Sequence, residues 1–310
     1  AVAFSGLVVS VLFLDSSSCP KILQASHFAV SVSSTANSSD WSVAKNVGLT
    51  VPKEQLAVIA MARNGLAELA KKSKTAKLML EIYDDKGVPG ILLEYGKVQV
   101  VQSPKPDGFL IVAQSAEKDI TAGEITNFAE FHCKPFPILY VRNFDVDPRA
   151  FGFMLAHELQ HAWDCVSGLE NGTEVPKSPE WLLGEYRAYR HASGILEEYT
   201  EGAWTLTVDT ALKRRDFARE KAGRSAISLT WGHSSEDVEA MRQLFGNVSY
   251  VSMSVLMLQL EIDANLRIIP RVLEAMNNNP EVTEESAIIT IMRGFYEAKG
   301  WSPNLPQQTR

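Results

Sequence analysis

The order of patterns along the chain predicts an α+β fold, a small and mostly antiparallel sheet followed by a helical C-terminal half. Three observations carry that expectation. Short β-rich runs crowd residues 75–145, helical periodicity dominates 148–300, and strands do not alternate with helices as they do around a parallel sheet. With 310 residues, of which 45% are hydrophobic and 22% charged, the chain can bury a sizeable core and is neither disordered nor a disulfide-dense miniprotein. Its net charge of −7 has the wrong sign for a phosphate-backbone binder, so nucleic acid is not an expected partner.

Taken in chain order, residues 1–45 stand apart from 46–310. Ala1 to Leu14 is an apolar run of the length of a secretory h-region and too short to span a bilayer, so export to a secreted or periplasmic location is expected. A Ser-rich stretch over 15–45 reads as a linker. From Pro52 to Lys72, Leu56, Ile59, Ala60, Leu66 and Leu69 recur at helical spacing. The runs Lys77–Tyr83, Ile91–Tyr95, Val98–Val101, Phe109–Ala113 and Pro137–Val141 then read as strands, separated by turn signals such as Asp84-Asp85-Lys86-Gly87.

Beyond Arg142 the chain reads as helix. Asp147-Pro148 is an N-cap with Pro at the first helical position, and Gly168 is the stop. Ser178-Pro179-Glu180 repeats the start signal for a helix to about Tyr199. Further helical patterns cover roughly 205–222, 235–245, 249–276 and 283–298. Tyr250 to Ile269 is the most apolar of these, but Gln259, Glu261, Asp263 and Arg267 make it a core helix, so no stable transmembrane span is expected. Cys19, Cys133 and Cys165 allow one bridge at most and offer no zinc knuckle; a buried free thiol is the expected state of Cys165.

Chemistry concentrates in His157-Glu158-Leu159-Gln160-His161. Two His four apart project from one helical face and can share a metal ion, with Glu158 beside that face to reach a water on the metal. Met154, His157, Glu158, His161 and Cys165 line one side of this helix, while Leu155, Leu159, Ala162 and Val166 offer another for packing. Zinc suits imidazole and keeps an open position in catalytic sites.

This stretch resembles the zincin metallopeptidases, whose active-site helix carries HExxH after an edge strand that aligns the substrate backbone. The resemblance runs from Phe136 to about Ser193, with Phe136–Arg142 as the candidate edge strand. Asp164 and Ser167 stand where metzincins place Gly and the third His, which excludes that branch. The following helix holds Glu185-x-x-Ala188, which looks like the gluzincin second helix and implies Glu185 as the third ligand; Asp164 and His191 are the alternatives, and Glu180 suits a helix start better. Where gluzincins often place an acid that holds a ligand His, this chain has Tyr189-Arg190, so Asp164 is the expected substitute.

The resemblance implies a zinc-dependent peptidase acting on a peptide or protein substrate, with Zn2+ on His157, His161 and Glu185. Glu158 would take a proton from the attacking water and return it to the leaving amine. Tyr189, Tyr186 and His233 are the candidate donors to the developing oxyanion. Trp163 and Trp181 are expected to pack the two helices together, and Cys133 would block the metal if the N-terminal region were a propeptide. The rival readings are a non-catalytic zincin-like protein with a structural metal or a partner surface, and a zinc hydrolase of other amides or esters.

Overall fold

The computed structural model describes residues 9–10, 50–92, 98–99, 104–114, 124–125, 129–134, 136–142, 146–170, 178–222, 234–266 and 276–298. Most of the signal-like run and all of the Ser-rich linker lie outside them, apart from β1 (Val9–Ser10), which pairs antiparallel with β5 (Glu124–Ile125).

Helix α1 (Lys53–Ala70) buries Ile59, Ala62, Gly65, Leu66 and Leu69, a stripe spaced three and four residues apart. Lys77–Tyr83, expected as a strand, lies within helix α2 (Lys74–Lys86). Its content of Leu, Ile and Tyr suits a strand, but its buried positions Ala76, Met79 and Tyr83 keep the helical period. Ser73 caps the helix by accepting from the Ala76 N–H, and Glu198 accepts from the Ser73 hydroxyl and from the Thr75 N–H.

The main sheet has the strand order β3-β2-β4-β7-β6, built from β2 (Gly87–Leu92), β3 (Val98–Gln99), β4 (Phe109–Gln114), β6 (Ala129–His132) and β7 (Ile138–Arg142). It is mixed, contrary to the antiparallel expectation: β2–β4 and β4–β7 are parallel, and only the outer pairs β2–β3 and β6–β7 are antiparallel. The physical reason is visible in β4, where Phe109 to Ala113 are all buried. Such a strand is covered on both faces and reads as a continuous apolar run, as parallel strands do. Phe109, Ile111 and Ala113 face α1 in the main core, whereas Leu110 and Val112 join Ile138 on the opposite face.

Helices α3 (Pro148–Val166), α4 (Pro179–Tyr199), α5 (Ala203–Ala222), α6 (Ser235–Phe245), α7 (Tyr250–Leu266) and α8 (Glu284–Ala298) follow. Asp147 and Ser178 cap α3 and α4 as their sequences require, accepting from Arg149 and Trp181. Helix α7 is buried nearly all round and separates two apolar clusters. Val255, Leu256 and Leu260 belong to the main core, while Leu258, Ile262 and Leu266 pack with Leu182 of α4 and with Met292 and Phe295 of α8. Among the described residues no helix is long and apolar enough to cross a membrane.

Two contacts expose the fold to test. Helices α1 and α3 approach so closely that a Cβ on Gly152 would lie 2.3 Å from the Gly65 carbonyl oxygen. Because that neighbour is backbone, Gly152→Ala should destabilise by about 1–3 kcal/mol, read as a lower midpoint in urea unfolding. The second contact is Asp263, fully buried on α7, where it accepts from the Trp204 indole at 2.6 Å and from Gln259 at 2.8 Å. Burial pushes its carboxyl up to about 6, against the pull of Trp204, Ser193, Gln259 and Arg190. Between about pH 4 and 6 the folded chain therefore binds more protons than the unfolded one, and Asp263 costs stability as pH rises through that window. Unfolding at pH 4 and pH 7 should show the wild type losing about 2 kcal/mol relative to Asp263→Asn, whose side chain does not titrate and whose amide oxygen can still accept from Trp204. Equal losses in the two proteins would contradict the assignment.

Candidate metal centre

The centre is assembled where α3 and α4 lie side by side. Cross-contacts step backwards along the two helices: Gly184 faces Glu170, Arg187 binds Asp164, and Tyr189 packs on His157. This antiparallel return brings Glu185, buried on α4, between the two His of α3. His157 Nε2 lies 3.6 Å from Glu185 Oε2, and His161 Nε2 lies 3.6 Å from Glu185 Oε1. One ligand atom from each of the three residues falls within 4.8 Å of the others.

That spacing fits a cation held between them. Ligand bonds of roughly 2.0–2.2 Å in a tetrahedral site leave neighbouring ligand atoms about 3.3–3.5 Å apart. His161 Nε2 is buried without a hydrogen-bond partner among the described residues, as expected for a lone pair aimed at a metal. Glu185, His157 and His161 can therefore hold a metal ion. His191 and Asp164, the alternative third ligands, are not in the group.

The local electrostatics favour a positive charge. Burial opposes ionisation of Glu185, but its hydrogen bond with His157 and the field of His161 outweigh burial and hold it below the usual carboxylate range. Burial also opposes charge on His161, yet the hydrogen bond with Glu170 and the fields of Glu185, Glu170 and Glu158 raise it to about 10. For His157 burial wins and the imidazole is held below its ordinary value. Burial raises Glu158 to about 8. Three carboxylates surround two imidazoles here, so a dication can take the place of protons.

Support from outside the ligand set comes from a residue that was not expected. His161 Nδ1 donates to Glu170, at 3.1 Å to Oε1 and 3.3 Å to Oε2, which leaves Nε2 as the lone-pair atom. Asp164 does not take this part. It accepts from Gln160 at 2.8 Å and from Arg187 at 2.7 Å, and Arg187 reaches Glu170 at 3.4 Å. Glu170 reaches His161 because α3 ends in a Schellman turn. Leu169 N–H donates to the Asp164 carbonyl, Gly168 N–H donates to the Cys165 carbonyl, and Gly168 has φ +79°. Space for the carboxylate comes from Gly184, where a Cβ would lie 2.4 Å from Glu170 Oε1. On the other ligand, His157 Nδ1 is buried without a partner among the described residues.

Glu158 lies between the ligands and the sheet. Its Oε2 accepts from the Phe131 N–H at 2.9 Å, and its Oε1 is 4.0 Å from His157 Nε2. The strand beside the site is thus β6, at the edge of the sheet, and not Phe136–Arg142, whose strand β7 is internal between β4 and β6. The expectation failed because β6, Ala129-Glu-Phe-His132, is too short and polar to read as a strand, and only pairing partners distinguish an edge from an interior strand. Cys133, just past β6, is disulfide-bonded to Cys165 at the end of α3. This corrects the free-thiol reading of Cys165 and removes Cys133 as a metal-blocking thiol.

Tyr189 is buried with its ring 4.4 Å from that of His157. Its hydroxyl is hydrogen-bonded to Tyr296 of α8, and Tyr296 donates to Glu185 Oε2 at 3.2 Å. Since a phenol has one proton to give, Tyr189 donates and Tyr296 accepts. Tyr296 had no sequence signal, standing 111 residues beyond Glu185. Tyr186 is half-buried against the α4–α8 cluster and does not line the cleft at the centre. His233 lies outside the described residues. Glu180 is exposed at the start of α4. Trp181 packs on Tyr296 of α8, and Trp163 is 41% exposed.

Comparison with protein-family models, with curated proteins and with solved structures yields no match to this chain.

The geometry makes Gly184→Ala diagnostic. The added methyl meets the flexible end of Glu170, so the helix should persist while the hydrogen bond to His161 is lost. The variant should keep its unfolding midpoint without metal to within about 1 kcal/mol and bind metal about 10–100-fold more weakly, measured by competition with a chromophoric chelator.

Proposed function

We propose that this chain is a zinc-dependent metallopeptidase of the zincin type, hydrolysing peptide bonds in a peptide or protein substrate. The reading rests on one observation, the convergence of His157, His161 and Glu185 on a common point with Glu158 beside it. A structural metal would not need a half-buried carboxylate left outside the ligand set and turned toward the open side of the centre. Glu158 is such a group, and it lines the same cleft as the ligands.

Zinc on these three residues would polarise a substrate carbonyl and make a bound water acidic near neutral pH. The remaining work falls to the chain. Glu158 takes the water proton on Oε1 while the Phe131 N–H holds Oε2, and it returns the proton to the leaving amine. Glu170 holds the proton on His161 Nδ1 throughout. Tyr189 and Tyr296 line the cleft wall, and Tyr189, the candidate oxyanion donor from α4, can serve only by turning its proton from Tyr296 to the substrate. Export, suggested by Ala1–Leu14, gains support from the Cys133–Cys165 bond, which persists best in an oxidising compartment.

Metal content and hydrolysis of Glu158→Gln and Glu185→Ala test the reading together. The wild type should bind about one zinc per chain. Glu158→Gln should retain the zinc and lose hydrolysis of a peptide mixture by about 10²–10⁴-fold. Glu185→Ala should lose both zinc and activity. Full activity in Glu158→Gln, or no zinc in the reconstituted wild type, would overturn the proposal.

A further inference from the structure

A cleft opens next to the metal centre, and its walls are informative about what enters it. Apart from the centre, Gln259 and the hydroxyls of Tyr189 and Tyr296, the lining is apolar. Met154 of α3, Trp181 of α4 and the α7 face made by Val255, Leu258 and Ile262 form most of it. Gln259, the remaining amide, already gives its N–H groups to Asp263 and to the Tyr189 carbonyl. No Lys or Arg lines the cleft among the described residues, and its two carboxylates, Glu158 and Glu185, belong to the centre.

We infer that the substrate is an internal stretch of peptide with an aliphatic or aromatic side chain next to the scissile bond, so that the chain acts as an endopeptidase; this rests on the peptidase reading above. An exopeptidase must hold a charged chain end beside its metal. Among the described residues, a terminal carboxylate finds no fixed cation on the cleft wall, and a terminal ammonium finds no acid outside the centre. A charged end or side chain would be buried without a partner, whereas an apolar side chain gains from the same surface. The neighbouring edge strand suits an extended peptide. Phe131 turns its N–H away from β7, toward Glu158, so Ala129, two residues earlier, presents its backbone on that same open side and lines the cleft.

The test uses the full chain loaded with zinc and three N-acetylated, C-amidated hexapeptides with Leu-Phe, Glu-Glu or Lys-Lys at the centre. A fourth probe is the Leu-Phe peptide with free termini. Binding is measured by fluorescence anisotropy of labelled peptides on Glu158→Gln, and cleavage by mass spectrometry with the wild type. The blocked Leu-Phe peptide should bind about 10-fold or more tighter than the charged ones and be cut internally. Freeing its ends should bring no gain. Met154→Arg, at a half-buried cleft position, should shift preference toward Glu-Glu, and Trp181→Ala should weaken Leu-Phe binding with zinc content unchanged. Preference for a charged centre, or cleavage that needs a free terminus, overturns the substrate assignment and leaves the peptidase reading standing. Selective Leu-Phe binding without any cleavage upholds the apolar cleft and removes the peptidase reading. Failure of the Leu-Phe peptide to bind or be cut overturns the substrate assignment.

Discussion

Carboxylates and imidazoles crowded out of water between α3 and α4 set the terms for the rest of this structure. Glu185 faces both His157 and His161 at 3.6 Å, and Glu158 and Glu170 bring two more acids to the same imidazoles. Burying such a cluster is costly unless positive charge compensates it. Protons can do so in part, as the raised His161 shows, but a dication does so with the geometry already in place. Several otherwise unrelated features serve that cluster. The left-handed Gly168 turns the chain back under α3, Gly184 leaves room for the Glu170 carboxylate, and Arg187 ties Glu170 to Asp164.

The sheet contributes by its edge. Strand β6 is the outermost strand next to α3, and its Phe131 N–H fixes one oxygen of Glu158. The Cys133–Cys165 bond then ties the end of that strand to the last turn of α3, closing a loop with a sequence separation of 32 residues. Loops of that length lose on the order of 3–4 kcal/mol of unfolded-state entropy when closed, so the strand and helix are held together partly by restricting the alternative. The interior strands β4 and β7 have a different task, since their apolar side chains fill both faces of the sheet.

The helical C-terminal half supplies the remaining wall. Helix α7 is apolar enough to be enclosed, and it carries Asp263 inward only because Trp204 and Gln259 donate to it. One face of α7 packs into the main core, and another lines the cleft. From α8, Tyr296 donates to Glu185 and accepts from Tyr189, so three helices hold one ligand carboxylate.

Local chemistry made part of this legible in the sequence. The i,i+4 spacing of His157 and His161 places both on one helical face whatever surrounds them. The Asp147-Pro148 and Ser178-Pro179 starts depend on neighbouring residues alone, and the helices began where those signals stand. Glu185 was reachable through its resemblance to a known helix pattern. What escaped was decided by partners distant in sequence. Lys77–Tyr83 has strand-like composition but helical burial, β7 and β6 exchange interior and edge according to pairing, and Cys133 meets Cys165 across 32 residues. Glu170 was a single acid after a helix stop until Gly184 was seen to leave space for it. The sequence by itself determined the face shared by His157 and His161, because helical geometry is set within a few residues. The shell around that face was decided only by the tertiary structure, because hydrogen bonds and burial depend on which distant segments the packing brings together.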